Sequence, residues 1–326
     1  MKRLPVILTL VIAILVLTGC GSPEEEELTP VTIMLDWVPN TNHTGIFVAE
    51  ANGYFEDAGL DVRIIQPGEV YAEAAVVSSV ADFGISFQEQ VTLARADDVP
   101  IVSVAAVLQH NTSGFASLSE INVTDPSDFE GLRYGSFGSP FEIPTLKVLM
   151  ECAGGDFTKL EIVNTGYADP LALLSERKTD LGWIFYGWQA FQAEQQDIDI
   201  SVVMMKDWFD CIPDYYTPVV ITSEELITSK PEVVRNFCKA LSRGYEFAIK
   251  NPDDAADLLL SAVPELDPEL VKASQNWLSK YYRAEAPRWG EQKETVWQGY
   301  ADWMVENGIL STSISGKDAF TNEFLP

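Results

Sequence analysis

The sequence predicts an α/β protein of two lobes that are joined by two crossing strands, with a helical C-terminal part. Three observations lead to this fold class. Short β-rich runs alternate with helical stretches over residues 31–113, the same alternation restarts over residues 114–217, and residues 218–326 are mainly helical after one further strand. Alternation of this kind indicates sheets that are covered by helices.

Residues 31–113, the first part of lobe 1, alternate regularly between the two kinds of element. Strands are expected at Val31–Leu35, Leu60–Ile65, Ala81–Ile85 and Ile101–Leu108, and helices at His43–Asn52, Glu69–Val80 and Gln88–Ala96. Gly53 is expected to end the first helix. This strand–helix–strand order predicts a parallel sheet with helices on both faces.

Residues 114–217 are expected to form lobe 2 and repeat the pattern. Strands are expected at Phe115–Leu118, Leu132–Gly135, Leu160–Asn164, Leu181–Phe185 and Val202–Met205, and helices at Pro126–Phe129, Glu142–Cys152, Pro170–Glu176 and Trp188–Gln195. The first of these strands is the expected crossing from lobe 1. A second sheet is therefore predicted beside the first.

Residues 218–326 are expected to return the chain to lobe 1. A strand at Pro218–Thr222 precedes helices at Pro231–Lys250, Pro252–Ala262, Pro268–Leu278 and Glu291–Glu306. Proline opens three of these helices, which suits a first helical turn. Two lobes with two crossings predict hinge closure around a ligand, which lies at loops beyond the carboxyl ends of strands.

The first 19 residues have the composition of a lipoprotein signal peptide. Lys2 and Arg3 precede an apolar run over residues 4–17, which is too short for a comfortable membrane span. The Leu-Thr-Gly-Cys sequence that follows looks like a bacterial lipobox, which predicts a lipid at Cys20. Residues 20–30 are expected to form an acidic tether. The folded part is therefore predicted to be lipid-anchored to the cell membrane on its extracytoplasmic face.

Composition excludes several classes of function. The 326 residues carry a formal net charge of −28, which repels nucleic-acid backbones. Two His and four Cys without a CxxC or HxxxH pair argue against a metal site, and no cofactor or catalytic residue is predicted. Besides Cys20 the chain has Cys152, Cys211 and Cys238, for which one disulfide and buried free thiols both remain open.

The text from Leu35, LDWVPNTNHTGIFVAEANGYFEDAGLDVRI, resembles the signature of Thi5/NMT1-like (SsuA/Thi5-like) solute-binding proteins. The resemblance continues in ADFGISF at Ala81–Phe87, YGSFGSPFE at Tyr134–Glu142 and YYTPVVIT at Tyr215–Thr222, and it covers residues 31–306. It implies a type II periplasmic-binding-protein fold and a monomer. It also implies an ABC permease and its ATPase as partners.

The first matching segment contains three candidate ligand-binding residues. Trp37 offers a flat face on which a heterocycle can stack, and Asn40 and neutral His43 each offer a donor and an acceptor. Core packing of Trp37 and a turn cap by Asn40 are the structural alternatives. Ser86, in the matching ADFGISF segment, is a further candidate.

The glycine- and serine-rich loop at residues 135–140 precedes the helix that begins at Glu142. Small residues there expose backbone N–H groups at a helix start, which suits an anion or a polar ring edge. Ser136 and Glu142 are the candidate ligand contacts of this loop. Glu142 is expected either to accept from a ring N–H or amino group, or to complement the helix dipole.

Residues 182–189 are unusually rich in aromatic side chains. Trp183 and Phe185 share one face of the predicted strand, and one of the two faces is expected to pack in the core. The predicted ligand contacts are Tyr186, Trp188 and Gln189 at the strand end. By the resemblance, pyrimidine binders often carry an acidic residue where this chain has Gln189, and a neutral amide suits the imide-like edge of riboflavin at least as well.

Residues and resemblance together predict the solute-binding lipoprotein of an ABC importer, and no enzyme. The expected small-molecule ligand is a vitamin-related nitrogen heterocycle: a thiamine pyrimidine precursor (hydroxymethyl- or formylamino-pyrimidine) or, as the alternative, riboflavin. A thiamine-pyrimidine synthase-like enzyme is less favoured, because eukaryotic relatives use a His and a Cys-rich motif and no Cys-rich run matches here. A sensory or scaffold lipoprotein of the same fold is a third alternative.

Overall fold

The computed structural model of the chain describes residues 27–68, 70–166 and 168–326. The predicted signal peptide at residues 1–19, the predicted lipidation site Cys20 and most of the tether at residues 20–30 lie outside the described residues. Within the described ranges, no helix combines the length and the apolar composition that a bilayer crossing needs.

The first sheet has five strands in the order β2-β1-β3-β10-β4. Its strands are β1 Thr29–Met34, β2 Leu60–Ile65, β3 Phe83–Ser86, β4 Ile101–Ala106 and β10 Val219–Ser223. Strands β1, β2 and β3 are parallel, whereas β10 lies antiparallel between β3 and β4. The sheet predicted to be parallel is therefore mixed, because the returning strand enters its middle.

The second sheet also has five strands, in the order β7-β6-β8-β5-β9. Its strands are β5 Ser113–Leu118, β6 Arg133–Ser136, β7 Glu161–Asn164, β8 Leu181–Phe185 and β9 Ile200–Met204. Strand β6 is parallel to β7 and β8, and β5 is antiparallel to β8 and β9. The first strand after the crossing thus lies inside the new sheet.

Helices surround both sheets. They are α1 Thr44–Ala51, α2 Ala72–Val77, α3 Gln88–Ala96, α4 Glu142–Cys152, α5 Pro170–Ser175, α6 Phe191–Gln195, α7 Glu224–Ser229, α8 Pro231–Lys250, α9 Pro252–Ala262, α10 Pro268–Leu278, α11 Glu294–Glu306 and α12 Gly316–Ala319. Helices α8, α9 and α10 have the predicted bounds. The segment predicted as helix at Pro126–Phe129 is a 3-10 helix, and a π-helical turn, Tyr186–Ala190, precedes α6.

The first sheet is covered on both faces. Alternate residues of β1 point to opposite sides, so that Ile33 packs with α1 and α8 while Met34 packs with α2. A separate core surrounds Phe115 of the second sheet. Helix α11 contributes to two of these cores, with Trp297 on the first-sheet side and Tyr300 on the second.

The contact between α1 and α8 leaves no room for a side chain at Gly244. A Cβ there would lie 2.0 Å from the carbonyl oxygen of Gly45. We expect Gly244→Ala to lower the free energy of unfolding by about 3 kcal/mol, because it forces the helices apart. Gly299→Ala in α11 is the matched control, since its Cβ would meet no atom within 4 Å. If urea unfolding showed the same loss of unfolding free energy in both variants, this description of the packing would be contradicted.

One pair of cysteines is joined. Cys152 at the end of α4 forms a disulfide with Cys211, at a Cα–Cα distance of 6.3 Å, and Cys238 is a buried free thiol. Because such bonds persist in oxidising compartments, the disulfide agrees with the predicted extracytoplasmic location. It ties α4 to the chain segment that leads back to the first sheet.

Two segments connect the lobes, residues 107–112 between β4 and β5 and residues 205–218 between β9 and β10. His110 lies on the first and contacts Asp214 on the second, with Nδ1 2.5 Å from Oδ2. Its Nε2 atom lies 2.8 Å from Oε2 of Glu285. The imidazole therefore links both connecting segments to the chain between α10 and α11.

This link predicts a loss of stability at alkaline pH. The hydrogen bond to Asp214, helped by Glu285, raises the pKa of His110 to about 9. The pKa of a histidine in the unfolded chain is about 6.5. The stabilisation that protonated His110 contributes to the folded state is therefore fully present below pH 6.5 and is lost as the pH rises through 9. We expect urea midpoints to fall over this window in the wild type and to fall less in His110→Gln. Identical pH slopes would contradict the link.

Candidate ligand-binding cleft

A cavity lies between the two lobes, at the carboxyl ends of several strands. From the first lobe it is lined by Asp36 and Trp37 after β1 and by Phe87, Glu89 and Gln90 after β3. The second lobe contributes residues that follow β6 and β7 and the end of β8: Phe137, Ser139, Phe141, Thr165, Trp183, Phe185, Trp188 and Gln189. Loops at such strand ends meet at one edge, which places a site there.

Aromatic rings form most of the walls. Seven of the lining residues are aromatic, namely Trp37, Phe87, Phe137, Phe141, Trp183, Phe185 and Trp188. Phe87 and Phe185 face each other across the lobes, with ring centroids 6.0 Å apart and planes inclined by 16°. Gln90 also reaches across, donating to Ser139 Oγ at 3.2 Å. The cleft therefore offers flat apolar surfaces to a flat ligand.

The charge of the cleft is one-sided. Asp36 and Glu89 are the acidic residues of its described lining, which contains no Lys, Arg or His. A buried anion needs a positive partner or several N–H donors, because its desolvation is costly. The described walls therefore suit a neutral or cationic ligand and disfavour an anionic one.

Gln189 has a defined orientation. Its Oε1 atom accepts a hydrogen bond from the backbone N–H of Phe185 at 2.9 Å. Since a backbone N–H can only donate, the amide oxygen must face it, and the Nε2 donors remain for the cavity. No described residue accepts from Nε2. Gln189 therefore offers a ligand two N–H donors.

Two of the three candidates near residue 40 line the cleft. Trp37 is half-buried at its wall, and Asn40 lines it while also capping a turn, with Oδ1 accepting from Asn42 N at 2.9 Å. His43 is fully buried and lies outside the lining. Its Nδ1 accepts from Asn40 N at 3.2 Å and its Nε2 lies 2.6 Å from Asp36 Oδ1. His43 therefore holds the position of Asp36.

The carboxylate of Glu142 is directed into its own loop. It is fully buried and accepts hydrogen bonds from the backbone N–H groups of Phe137, Gly138 and Ser139, at 3.1, 2.6 and 2.8 Å. Ser136 also donates to it, at 3.1 Å. Glu142 and Ser136 thus lie outside the lining, and they shape the loop that carries Phe137 and Ser139.

Ser86 and Tyr186 also lie outside the lining. The Ser86 hydroxyl is buried and donates to Glu73, and Tyr186 packs on Trp277 with centroids 5.3 Å apart. The structure places Trp183 and Phe185 at the cavity instead, on the β8 face opposite to the buried Ile184. Of the predicted strand-end trio, Trp188 and Gln189 line the cleft.

Sequence reasoning missed the residues that follow β3. Phe87, Glu89 and Gln90 all line the cleft, and Glu89 is 3% exposed. Burial raises the pKa of Glu89 to about 8, and the Tyr215 hydroxyl lowers it to a smaller extent. Three polar residues directly after a buried strand, in FQEQ, are the sequence signal that could have identified this position.

Two α/β lobes with an aromatic cleft between them define a protein of the periplasmic-binding-protein fold. The alkanesulfonate-binding protein SsuA from Xanthomonas axonopodis pv. citri, solved bound to MOPS, has the same fold, with a TM-score of 0.68 and 15% identity over 90% of this chain and 99% of that one. The chain belongs to the NMT1/THI5 like family, which matches residues 40–255.

Curated relatives cover nearly the whole chain. A formylaminopyrimidine-binding protein from Halalkalibacterium halodurans is 31% identical over 97% of this chain and 98% of its own length. The riboflavin-binding protein RibY of Chloroflexus aurantiacus is 26% identical over 100% and 99%. A 4-amino-5-hydroxymethyl-2-methylpyrimidine phosphate synthase of Legionella pneumophila is 23% identical over 91% and 92%.

Proposed function

We propose that the protein is the extracytoplasmic solute-binding lipoprotein of an ABC importer and that it captures a thiamine pyrimidine precursor, hydroxymethyl- or formylamino-pyrimidine. The observation that carries this proposal is the composition of the cleft. Its described walls combine seven aromatic rings with two acidic side chains and no basic one. Stacking supplies affinity for a flat neutral ring, and a few polar groups set its orientation.

The same composition argues against the ligands of structural neighbours. An alkanesulfonate is an anion, and its burial between Asp36 and Glu89 without a basic side chain would be unfavourable. The phosphorylated form of a pyrimidine is disfavoured for the same reason. The unphosphorylated, neutral compound is therefore the form that the cleft suits.

Two heterocycles fit the walls, and the acidic side chains favour one of them. An aminopyrimidine carries an exocyclic amino donor that a carboxyl group accepts, and the relative with 31% identity is named for such a compound. Riboflavin is the alternative ligand. The Nε2 donors of Gln189 suit its carbonyl-rich imide edge, and a relative of 26% identity is named for it.

Synthase-like relatives make an enzyme the third candidate. His43, the histidine of the matched motif, is fully buried, bonded on both ring nitrogens and outside the cleft lining. Such a histidine supports the shape of the site and does not reach a substrate. If the purified protein converted added pyridoxal phosphate catalytically, it would be an enzyme, and the proposal of a binding protein would be overturned.

The proposed location and partners are supported by the N-terminal sequence and the fold. A lipid at Cys20 would hold the protein at the outer face of the membrane, where a permease with its cytoplasmic ATPase receives the ligand. The protein is proposed to act as a monomer, with ligand bound between the lobes.

The ligand is tested by purifying the protein under native conditions and recording its absorption spectrum. Tryptophan fluorescence is then titrated with hydroxymethylpyrimidine, formylaminopyrimidine and riboflavin. We expect a colourless protein whose fluorescence is quenched by the pyrimidines, since Trp37, Trp183 and Trp188 line the cleft. A yellow protein, or quenching by riboflavin alone, would replace the pyrimidine by the flavin. Binding of none of these would overturn the ligand class.

A further inference from the structure

Glu89 is a buried acidic residue in the lining of the cleft. The residue is the second of α3, directly beyond the carboxyl end of β3, and it lines the cavity while being 3% exposed. Its Oε2 atom is buried and makes no hydrogen bond of ordinary geometry to a described residue, although the Tyr215 hydroxyl lies close enough to lower the pKa of the carboxyl group. A buried polar atom without a partner costs about 1–3 kcal/mol, so its presence in a ligand cavity points to a partner on the ligand.

The other acid of the cleft is already engaged. Asp36 Oδ1 lies 2.6 Å from His43 Nε2, which bears the proton because Nδ1 accepts from a backbone N–H. On the opposite wall, the second lobe supplies the Nε2 donors of Gln189. Glu89 is therefore the acidic group of the described lining whose hydrogen-bonding capacity is left most open.

No basic group in the described structure compensates Glu89. The titratable groups that face it are Tyr215 on the second connecting segment and Tyr300 on α11, and burial raises the pKa of both hydroxyls well above 10. The basic residues of α3 and of α12, which packs on α3, are paired elsewhere, Arg95 with Glu224 and Lys317 with Glu294.

A carboxyl group in this setting holds its proton near neutral pH, in agreement with the pKa of about 8. It then carries an O–H donor and a carbonyl acceptor side by side. An aminopyrimidine presents the complementary pair, a ring nitrogen that accepts and an adjacent amino group that donates. Because the ring nitrogen is basic, the proton can rest on either partner, and two hydrogen bonds are kept in both arrangements.

We propose that Glu89 determines the specificity of the cleft, and that its carboxyl group pairs with the exocyclic amino group and the adjacent ring nitrogen of the ligand. This assignment rests on the proposed function and names the ligand feature that the site selects. A pyrimidine without the amino group forms one of these two hydrogen bonds at most and is discriminated against.

The test compares 4-amino-5-hydroxymethyl-2-methylpyrimidine with its analogue that lacks the amino group, by isothermal titration of the whole protein. We expect wild type to prefer the amino compound by about 10- to 100-fold, the value of one hydrogen bond in a desolvated site. Glu89→Met removes both hydrogen-bonding atoms at similar length, and this preference should vanish. Asp97→Asn, an exposed acid just beyond α3, is the control that should keep it.

Glu89→Gln gives a second, independent readout. Glutamine keeps one donor and one acceptor, so the variant should bind the amino compound near pH 7. In wild type the dissociation constant should rise above about pH 8, when Glu89 loses its proton, whereas in Glu89→Gln it should stay flat. Thermal unfolding of each variant confirms the fold, which removal of a buried carboxyl group without a basic partner should not weaken.

Four results would overturn the assignment. Three of them would remove Glu89 from this role while leaving the proposed function intact. The Glu89→Met variant could keep the preference for the amino compound, or Asp36→Asn could lose that preference instead. The third is an equal pH dependence of the dissociation constant in wild type and Glu89→Gln. Failure of wild type to bind either pyrimidine would refute the proposed function, and the assignment with it.

Discussion

Replacing Glu142 by glutamine is expected to lower the free energy of unfolding by about 4 kcal/mol, although the two side chains have nearly the same size. Every group that contacts the carboxylate is a donor: three backbone N–H groups, the Ser136 hydroxyl and the Tyr134 hydroxyl at 2.7 Å. An amide nitrogen would turn its own N–H groups toward some of these donors. At least two buried donors would then lose their partner.

The same substitution should weaken ligand binding, because Phe137 and Ser139 of this loop line the cleft. Urea unfolding measures the stability, and fluorescence titration with the pyrimidine measures the affinity, which we expect to fall by at least about tenfold. Glu151→Gln on the same helix is the control. Glu151 is exposed and its ion pair with Lys147 is 3.9 Å long, so its loss should cost under about 0.5 kcal/mol. Equal effects of both variants would contradict the role of Glu142.

Loss of the disulfide is expected to have an effect of similar size. Cys152 and Cys211 are 59 residues apart, and closure of a loop of that length stabilises the folded chain by about 4 kcal/mol through the unfolded state. The double variant Cys152→Ser, Cys211→Ser should therefore unfold at a clearly lower urea concentration than wild type. Reduction with dithiothreitol should bring wild type to the level of the variant and leave the variant unchanged. A reduced wild type that unfolds at the oxidised midpoint would contradict this expectation.

The sequence predicted most elements of the fold, because local signals defined them. Proline at the first position set the starts of α8, α9 and α10. Pairing was harder to predict, since β10 enters the first sheet antiparallel after more than a hundred intervening residues, and nothing in its own residues specifies its neighbours. The disulfide remained open for the same reason, because it depends on where α4 ends in space.

Of the candidate residues, Trp37, Asn40, Trp188 and Gln189 line the cleft. The first two follow β1 and the last two follow β8, and strand ends of this kind are where the sequence predicted a site. Glu142 lies in a segment that matches the family, but its carboxylate is turned inward by three backbone donors, an arrangement that residue spacing does not show. Glu89 was missed because an acidic residue in a first helical turn ordinarily complements the helix dipole in water.

The cleft also explains how one fold can serve different ligands. In the described walls the rings of Phe87 and Phe185 bring the lobes together, and the polar groups that set specificity are few. A change of one or two of them alters the preferred ligand without altering the scaffold. The positions of Glu89 and Gln189 are the ones at which we expect such changes to act.

The most direct test of this account is a paired isothermal titration of the protein with 4-amino-5-hydroxymethyl-2-methylpyrimidine and with an alkanesulfonate of similar size, under the same conditions. We expect the neutral heterocycle to bind at micromolar concentration or below and the anion to show no measurable binding. Tight binding of the sulfonate, with none of the pyrimidine, would contradict it, because a cleft without basic side chains in its described lining would then hold a buried anion.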